Sequence, residues 1–132
     1  MRKLTVLWIE DDSSYPESMH LRVKKELASL DLEFDNPIVL TDGEFVWETV
    51  RDHQPDIIFV DHNLEDVKVN GANLIIVIRF HNNETPIIYY SSEMSDKLMK
   101  LVEKEHKVHT ALRQDLHSDL IRIISQEFTI RT

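Results

Sequence analysis

Four apolar runs of this chain each lead into residues able to do acid, metal or phosphate chemistry. Glu10, Asp11 and Asp12 follow residues 4–9, Asp61 follows 57–60, Ser91 and Ser92 follow 87–90, and Arg113 follows 108–112. Three or four carboxylates brought close together repel one another, so such a cluster either keeps a proton, with raised pKa values, or holds a cation. A hard divalent ion is the natural answer. Mg2+ takes a few carboxylates and leaves its other positions to water and phosphate oxygen, which suits a partly open acidic pocket better than the closed oxygen cage of Ca2+. The hydroxyl of Ser91 and the guanidinium of Arg113, set opposite the acids, are suited to phosphate oxygens.

Taken singly, each of these residues has a plainer role. An acidic triplet after a strand is ordinarily a solvated turn, and an isolated Asp61 can cap a loop. Ser91 and Ser92 read as a helix start, and a lone Arg113 as a surface charge. The set becomes informative only if the fold carries all four run ends to one place.

The order of elements says that it does. Residues 4–9 form a compact run rich in β-preferring side chains, the pattern of a buried strand. After Pro16, Met19, Val23, Leu27 and Leu30 recur at helical spacing, the stripe of an amphipathic helix. The alternation repeats with a short strand at 38–40, a helix over 44–53 that turns Val46, Trp47 and Val50 inward, and an apolar strand at 57–60 set off by Pro55. Pro86 introduces a strand at 87–90, residues 96–107 carry Leu98, Leu101 and Val102 at helical spacing, and a weaker strand follows at 108–112. Leu116, Leu120, Ile121, Ile124 and Phe128 mark a terminal helix. Residues 71–80 include Leu74-Ile75-Ile76-Val77-Ile78, a strand-like composition, but their place in the alternation assigns them to a helix. Five βα units imply a parallel sheet covered by helices on both faces, and strands without polar alternation agree. Right-handed crossovers then bring every strand's carboxyl end to one edge, where such folds bind ligands.

Composition narrows the function classes. The chain has 132 residues, enough for one domain spanning 1–132, and 42% apolar with 30% charged residues is ordinary for a soluble globular protein. Lys and Arg number 15 against 24 Asp and Glu, and the net charge of −9 argues against direct nucleic-acid binding, which draws on clustered basic residues. Cysteine is absent, which removes disulfides, thiolate catalysis and Cys-rich zinc sites and is compatible with a reducing, cytoplasmic compartment. The opening apolar stretch is too short for a signal peptide and ends in acids, and no stretch is long enough to span a bilayer, so no membrane association is expected. Two glycines leave no glycine-rich phosphate loop.

At this point the residues resemble the receiver domain of bacterial response regulators, over essentially the whole chain. Val6-Leu7-Trp8-Ile9-Glu10-Asp11-Asp12 is similar to the family's first strand and acid pair, and Pro55-Asp56-Ile57-Ile58-Phe59-Val60-Asp61 to the strand that carries its phosphoacceptor. Asp42-Gly43-Glu44 and Pro86-Ile87-Ile88-Tyr89-Tyr90-Ser91-Ser92-Glu93 also fit its pattern. The resemblance implies a flavodoxin-like (βα)5 doubly wound sandwich whose five-stranded parallel sheet has strand order 2-1-3-4-5. It further implies that Asp61 takes a phosphoryl group from the phosphohistidine of a histidine kinase or phosphotransfer protein, beside Mg2+. Asp11 and Asp61 would give carboxylate oxygens to the metal, Asn63 its backbone carbonyl, and Glu10 would act through metal-bound water. Ser91 would bond a phosphoryl oxygen, Arg113 stands where the family has lysine, and Asp12 is a minor helper. Asn63 and Glu93, with Ser92 nearby, would modulate the lifetime of the phosphorylated state.

Several residues depart from the family. Arg113 keeps the charge of the usual lysine but replaces a compact ammonium with a planar fork. Gln114 follows it in place of proline, so the cis peptide of the family is not expected. Thr110 stands where an aromatic residue normally swings inward on activation. Gly71 lies two residues farther from Asp61 than the family's usual glycine, implying an insertion within the loop 65–70, and Glu65 replaces a common proline there.

The first functional expectation is a phosphorylatable signalling switch without an attached output domain, acting on an unknown downstream protein and catalysing nothing beyond its own phosphorylation and dephosphorylation. The alternative is a pseudo-receiver, the same fold used as a phosphorylation-independent interaction module. A third reading is a magnesium-dependent phosphatase resembling the haloacid dehalogenase class, which wants a second acid where this chain has Asn63. His106 and His109 straddle a helix-to-strand junction and are expected to point apart on the surface, and His62 is expected at the rim of the pocket.

Overall fold

The apolar runs pair as parallel strands. In the computed structural model, which describes residues 2–62, 71–93 and 95–128, the strands are β1 (Arg2–Leu4), β2 (Val6–Ile9), β3 (Leu32–Phe34), β4 (Ile38–Leu40), β5 (Ile57–Asp61), β6 (Ile87–Ser91) and β7 (His109–Leu112). The helices are α1 (Ser14–Ser29), α2 (Val46–His53), α3 (Gly71–His81), α4 (Asp96–His106) and α5 (Leu116–Phe128), the last preceded by a 3-10 turn at Arg113–Asp115. The main sheet runs β4-β2-β5-β6-β7, all parallel. Counted over these five strands, that is the expected order 2-1-3-4-5.

Every residue of β2, β5 and β6 is buried, because helices cover both faces of the sheet. Strand parity sorts the side chains. Val6, Trp8, Phe59, Ile88 and Tyr90 join α1 and α5 in one apolar cluster, with Trp8 stacked on Phe59 at 4.0 Å between ring centroids. Leu7, Ile9, Ile58, Val60 and Tyr89 pack on α2, α3 and α4 in the other. Burying each of these large apolar side chains is worth roughly 1.5–3 kcal/mol, and that gain on both faces is what holds so hydrophobic a sheet at the centre.

Some local expectations are corrected. The single strand expected at 4–9 is divided at Thr5. Leu4 and its predecessors pair in parallel with β3, a strand not anticipated, while Val6 onward joins the main sheet. The break is fixed where the Thr5 amide donates to Asp56 Oδ2 at 2.8 Å. The second helix begins at Val46 rather than at residue 44, and Trp47 is only half-buried, stacked on His81. In α4 only Val102 turns inward, while Leu98 and Leu101 are exposed. Ser95, and neither Ser91 nor Ser92, caps that helix by accepting the Leu98 amide. Residues 71–81 are helical as their context required, with Leu74, Ile75 and Ile78 buried and Ile76, Val77 and Phe80 exposed.

Candidate functional site

Sheet register builds the site. Ile9 pairs with Val60 across β2 and β5, so Glu10 and Asp61 emerge level with each other, and the pairing of Asp61 with Tyr90 sets Tyr90 alongside. Strand parity carries all three toward the α1 and α5 side. Asp61 is 2% exposed, and Glu10 and Ser91 are fully buried. Glu10, Asp11 and Asp61 each present a carboxylate oxygen within 4.8 Å of the other two. The three acids expected to converge do so.

Arg113, at the end of β7, reaches into this cluster. Its Nη1 donates to Glu10 Oε1 at 2.7 Å and to Asp61 Oδ2 at 3.3 Å, and its guanidinium carbon lies 3.9 Å from the centroid of the Tyr15 ring. Glu10 is held from three directions: Tyr90 donates its hydroxyl to Oε1 at 2.8 Å, Arg113 bonds the same oxygen, and the Asp12 amide donates to Oε2 at 3.0 Å. Trp8 Nε1 donates in turn to the Tyr90 hydroxyl at 2.7 Å. Burial pushes Glu10 up to about 7, and the neighbouring Asp11 and Asp61 add to the rise, while the Asp12 amide and the Tyr90 hydroxyl pull the other way. Desolvation lifts Tyr90 well above the usual phenol range, with Glu10 adding to it, so it stands here as a neutral donor.

The other expected residues lie around this centre. The Ser91 hydroxyl donates to the Glu93 carbonyl at 2.9 Å and accepts the Glu93 amide. Ser92 and Glu93 are exposed at the rim. Asp12 is exposed and accepts the Ser14 hydroxyl at 2.6 Å and the Ser14 amide at 3.1 Å, contacts that lower its pKa and tie it to the start of α1. His62 is half-buried, with Nδ1 hydrogen-bonded to the Tyr89 hydroxyl, while burial and the Asp61 charge raise Tyr89 to about 12. Asn63 and the loop 65–70 lie outside the described residues. His106 and His109 do point to different partners, Glu105 and Glu127. Thr110 is buried, its hydroxyl donating to Glu103 Oε1 at 2.6 Å. Tyr15 and Tyr90 are site residues that sequence reasoning passed over. The one signal for Tyr90 was its place immediately before Ser91 in an apolar strand.

The donor set suits a divalent cation. Three carboxylates and one guanidinium leave about two negative charges in a largely desolvated pocket; burial is the main cause of the upward push on Glu10, and a bound cation would offset both that loss of solvation and the smaller push from Asp11 and Asp61.

No protein-family model matches the chain, and no curated protein matches it. Solved structures do. The receiver domain of NtrX from Brucella abortus is 14% identical, with TM-score 0.72 over 92% of this chain and 96% of that one. The receiver domain of a putative LuxO repressor protein from Vibrio parahaemolyticus is 19% identical, with TM-score 0.72 over 96% and 90%. The BeF3-activated N-terminal receiver domain of Klebsiella pneumoniae RstA is 22% identical, with TM-score 0.67 over 96% and 97%. The fold is that of response-regulator receiver domains, an α/β sandwich of the flavodoxin-like kind.

Proposed function

We propose that this domain is a phosphoacceptor signalling switch in which Asp61 receives a phosphoryl group from a phosphohistidine. The observation that carries the reading is a buried Asp61 at the carboxyl edge of the sheet, grouped with Glu10 and Asp11 and touched by Arg113. An Asp61 carboxylate oxygen attacks phosphorus, the phosphorus–nitrogen bond breaks, and the imidazole departs with the bonding pair, leaving an acyl phosphate. Catalysis of such a transfer is mostly positioning and neutralisation of charge on the equatorial oxygens. Arg113 would move its contact from Asp61 to a phosphoryl oxygen while keeping Glu10, a division of labour open to a guanidinium with several N–H groups. Ser91 would turn its hydroxyl from the Glu93 carbonyl to another phosphoryl oxygen. Asp11 and Asp61 would hold Mg2+, with Glu10 acting through water and the Asn63 carbonyl adding a ligand. Bound there, Mg2+ supplies charge neutralisation to the transferring group. Glu93 and Ser92 at the rim would tune the return reaction with water, so that the chain turns over only its own phosphate.

The donor would be a histidine kinase or phosphotransfer protein and the readout a downstream protein, in a cytoplasmic setting. No described helix is long and apolar enough to cross a membrane.

A second reading has its own observation. Arg113 is already engaged by Glu10, and Thr110 is tied to Glu103, an arrangement that would also serve a constitutive interaction module, a pseudo-receiver. Acetyl phosphate with Mg2+, followed by intact-mass spectrometry, separates the two. The switch predicts one phosphoryl group on the wild type and none on Asp61→Asn. No adduct under any condition favours the pseudo-receiver, and many phosphates released per chain favour a phosphatase.

A further inference from the structure

Glu10 is the most enclosed group of the acidic pocket, and its surroundings are too complete to be incidental. It is fully buried, as is Tyr90. Oxygen Oε1 accepts two donors, the Tyr90 hydroxyl at 2.8 Å and Arg113 Nη1 at 2.7 Å, which fills its two lone-pair directions. Oε2 takes the Asp12 amide at 3.0 Å, so it is less crowded by the donors named here than Oε1 and is the oxygen with more room for a cation held with Asp11 and Asp61. Tyr90 itself cannot swing away. Its hydroxyl accepts Trp8 Nε1 at 2.7 Å, and Trp8 is fully buried and stacked on Phe59. A side chain locked by packing at one end and by hydrogen bonds at the other is what holds a polar group in a set orientation.

From this the geometry points to Tyr90 as a positioning residue of the pocket: by bonding Glu10 Oε1 beside Arg113, it fixes which oxygen of Glu10 faces a bound divalent cation and holds the Arg113 contact in register with Asp61. The inference deepens the phosphoacceptor reading and rests on it for its biological purpose, but it is decided by cation binding alone. Tyr90 is not one of the three grouped carboxylates; it acts through Glu10.

The experiment titrates Mg2+ into the full chain, without phosphodonor, by calorimetry. Tyr90→Phe keeps the ring and removes only the hydroxyl, so its Mg2+ affinity should fall about 10-fold, the range in which partners of metal-facing carboxylates act. In a Glu10→Ala background the same change should have an effect of about twofold or less, because Tyr90 then has nothing to position. A purely structural role would give the same loss in both backgrounds and overturn the inference. Ile88→Val, a truncation in the same strand that does not reach Glu10, controls for stability and should leave the affinity within about twofold. If Tyr90→Phe fails to fold, a chain with Tyr90 intact still decides the matter. With Trp47 replaced by Phe, the indole N–H resonance of Trp8 should move on Mg2+ titration, and a fixed resonance at saturating Mg2+ counts against the relay. Failure to accept phosphate with the Tyr90 coupling intact overturns the phosphoacceptor reading alone. Normal phosphorylation with Mg2+ affinity indifferent to Tyr90 overturns this inference alone, and a wild type that binds no Mg2+ overturns both.

Discussion

Arg113 shows how much a single side chain decides in a pocket of like charges. Its Nη1 is 2.7 Å from Glu10 and 3.3 Å from Asp61, while its planar face lies against Tyr15. A lysine ammonium would keep the charge and could still reach both acids from one nitrogen, as Nη1 does, but would lose the flat guanidinium over the ring. Arg113→Lys should therefore cost about 1 kcal/mol of stability in metal-free buffer. Arg113→Ala should cost roughly 2 kcal/mol, because buried Glu10 and Asp61 are left facing Asp11 without a counter-charge. Urea unfolding with and without Mg2+ checks both: the deficit of Arg113→Ala should shrink when the cation is present. An alanine variant that unfolds at the wild-type urea concentration in chelator would show the contact to be idle.

At the scale of elements, the legible parts were those whose signal is local. Strands β2, β5 and β6 stand out because burial on both faces leaves them apolar throughout, and Glu10, Asp61 and Ser91 stand out because each closes or directly follows such a run. What escaped depends on register or on very short segments. Leu32-Glu33-Phe34 is too brief to signal a strand, and Tyr90 meets Glu10 only because β6 pairs with β5 in the particular register that sets Tyr90 beside Asp61. Helical spacing at Leu98 and Leu101 was real, but spacing does not report how much of a face is covered, and both residues are exposed. Gly71 joins the two kinds. Its presence was readable, its purpose was not: a Cβ there would lie 2.3 Å from the carbonyl oxygen of Asp61, against backbone that has no room to yield. The start of α3 thus packs directly on the end of β5. Gly71→Ala should destabilise the domain by roughly 2 kcal/mol through this overpacking and should slow phosphorylation by displacing Asp61. Thermal melts and the acetyl phosphate assay test the two halves. A variant with wild-type melting temperature would mean that the junction is looser than its geometry indicates.

For the molecule as a whole, the acidic pocket ties folding stability to pH and, on the proposed function, to divalent cations as well. Glu10 has its pKa raised by burial, with Asp11 and Asp61 adding to it, from 4.5 to about 7. Between those values the folded chain binds more protons at this site than the unfolded chain does, so stability falls as pH rises across the window. The contribution is fully present below about pH 4.5 and is lost as pH passes 7; its size is on the order of 3 kcal/mol, since each tenfold gain in proton affinity is worth about 1.4 kcal/mol. Asp12 titrates in the opposite sense, since its pKa is lowered by the Ser14 contacts, but its window lies below 3.8 and leaves this one clear. Cation binding requires the deprotonated carboxylates and stabilises the folded state by mass action. It should therefore act most strongly at the alkaline end, where the metal-free protein is weakest, in a chain whose net charge of −9 already opposes compaction. Melting temperatures measured from pH 5 to pH 8 in chelator should decline for the wild type, and the decline should be flatter for Glu10→Gln and flatter again for the wild type in saturating Mg2+. Parallel wild-type and Glu10→Gln curves would place the pH dependence elsewhere, and an Mg2+ effect equal at both ends of the range would mean that the ion does not compete with this proton.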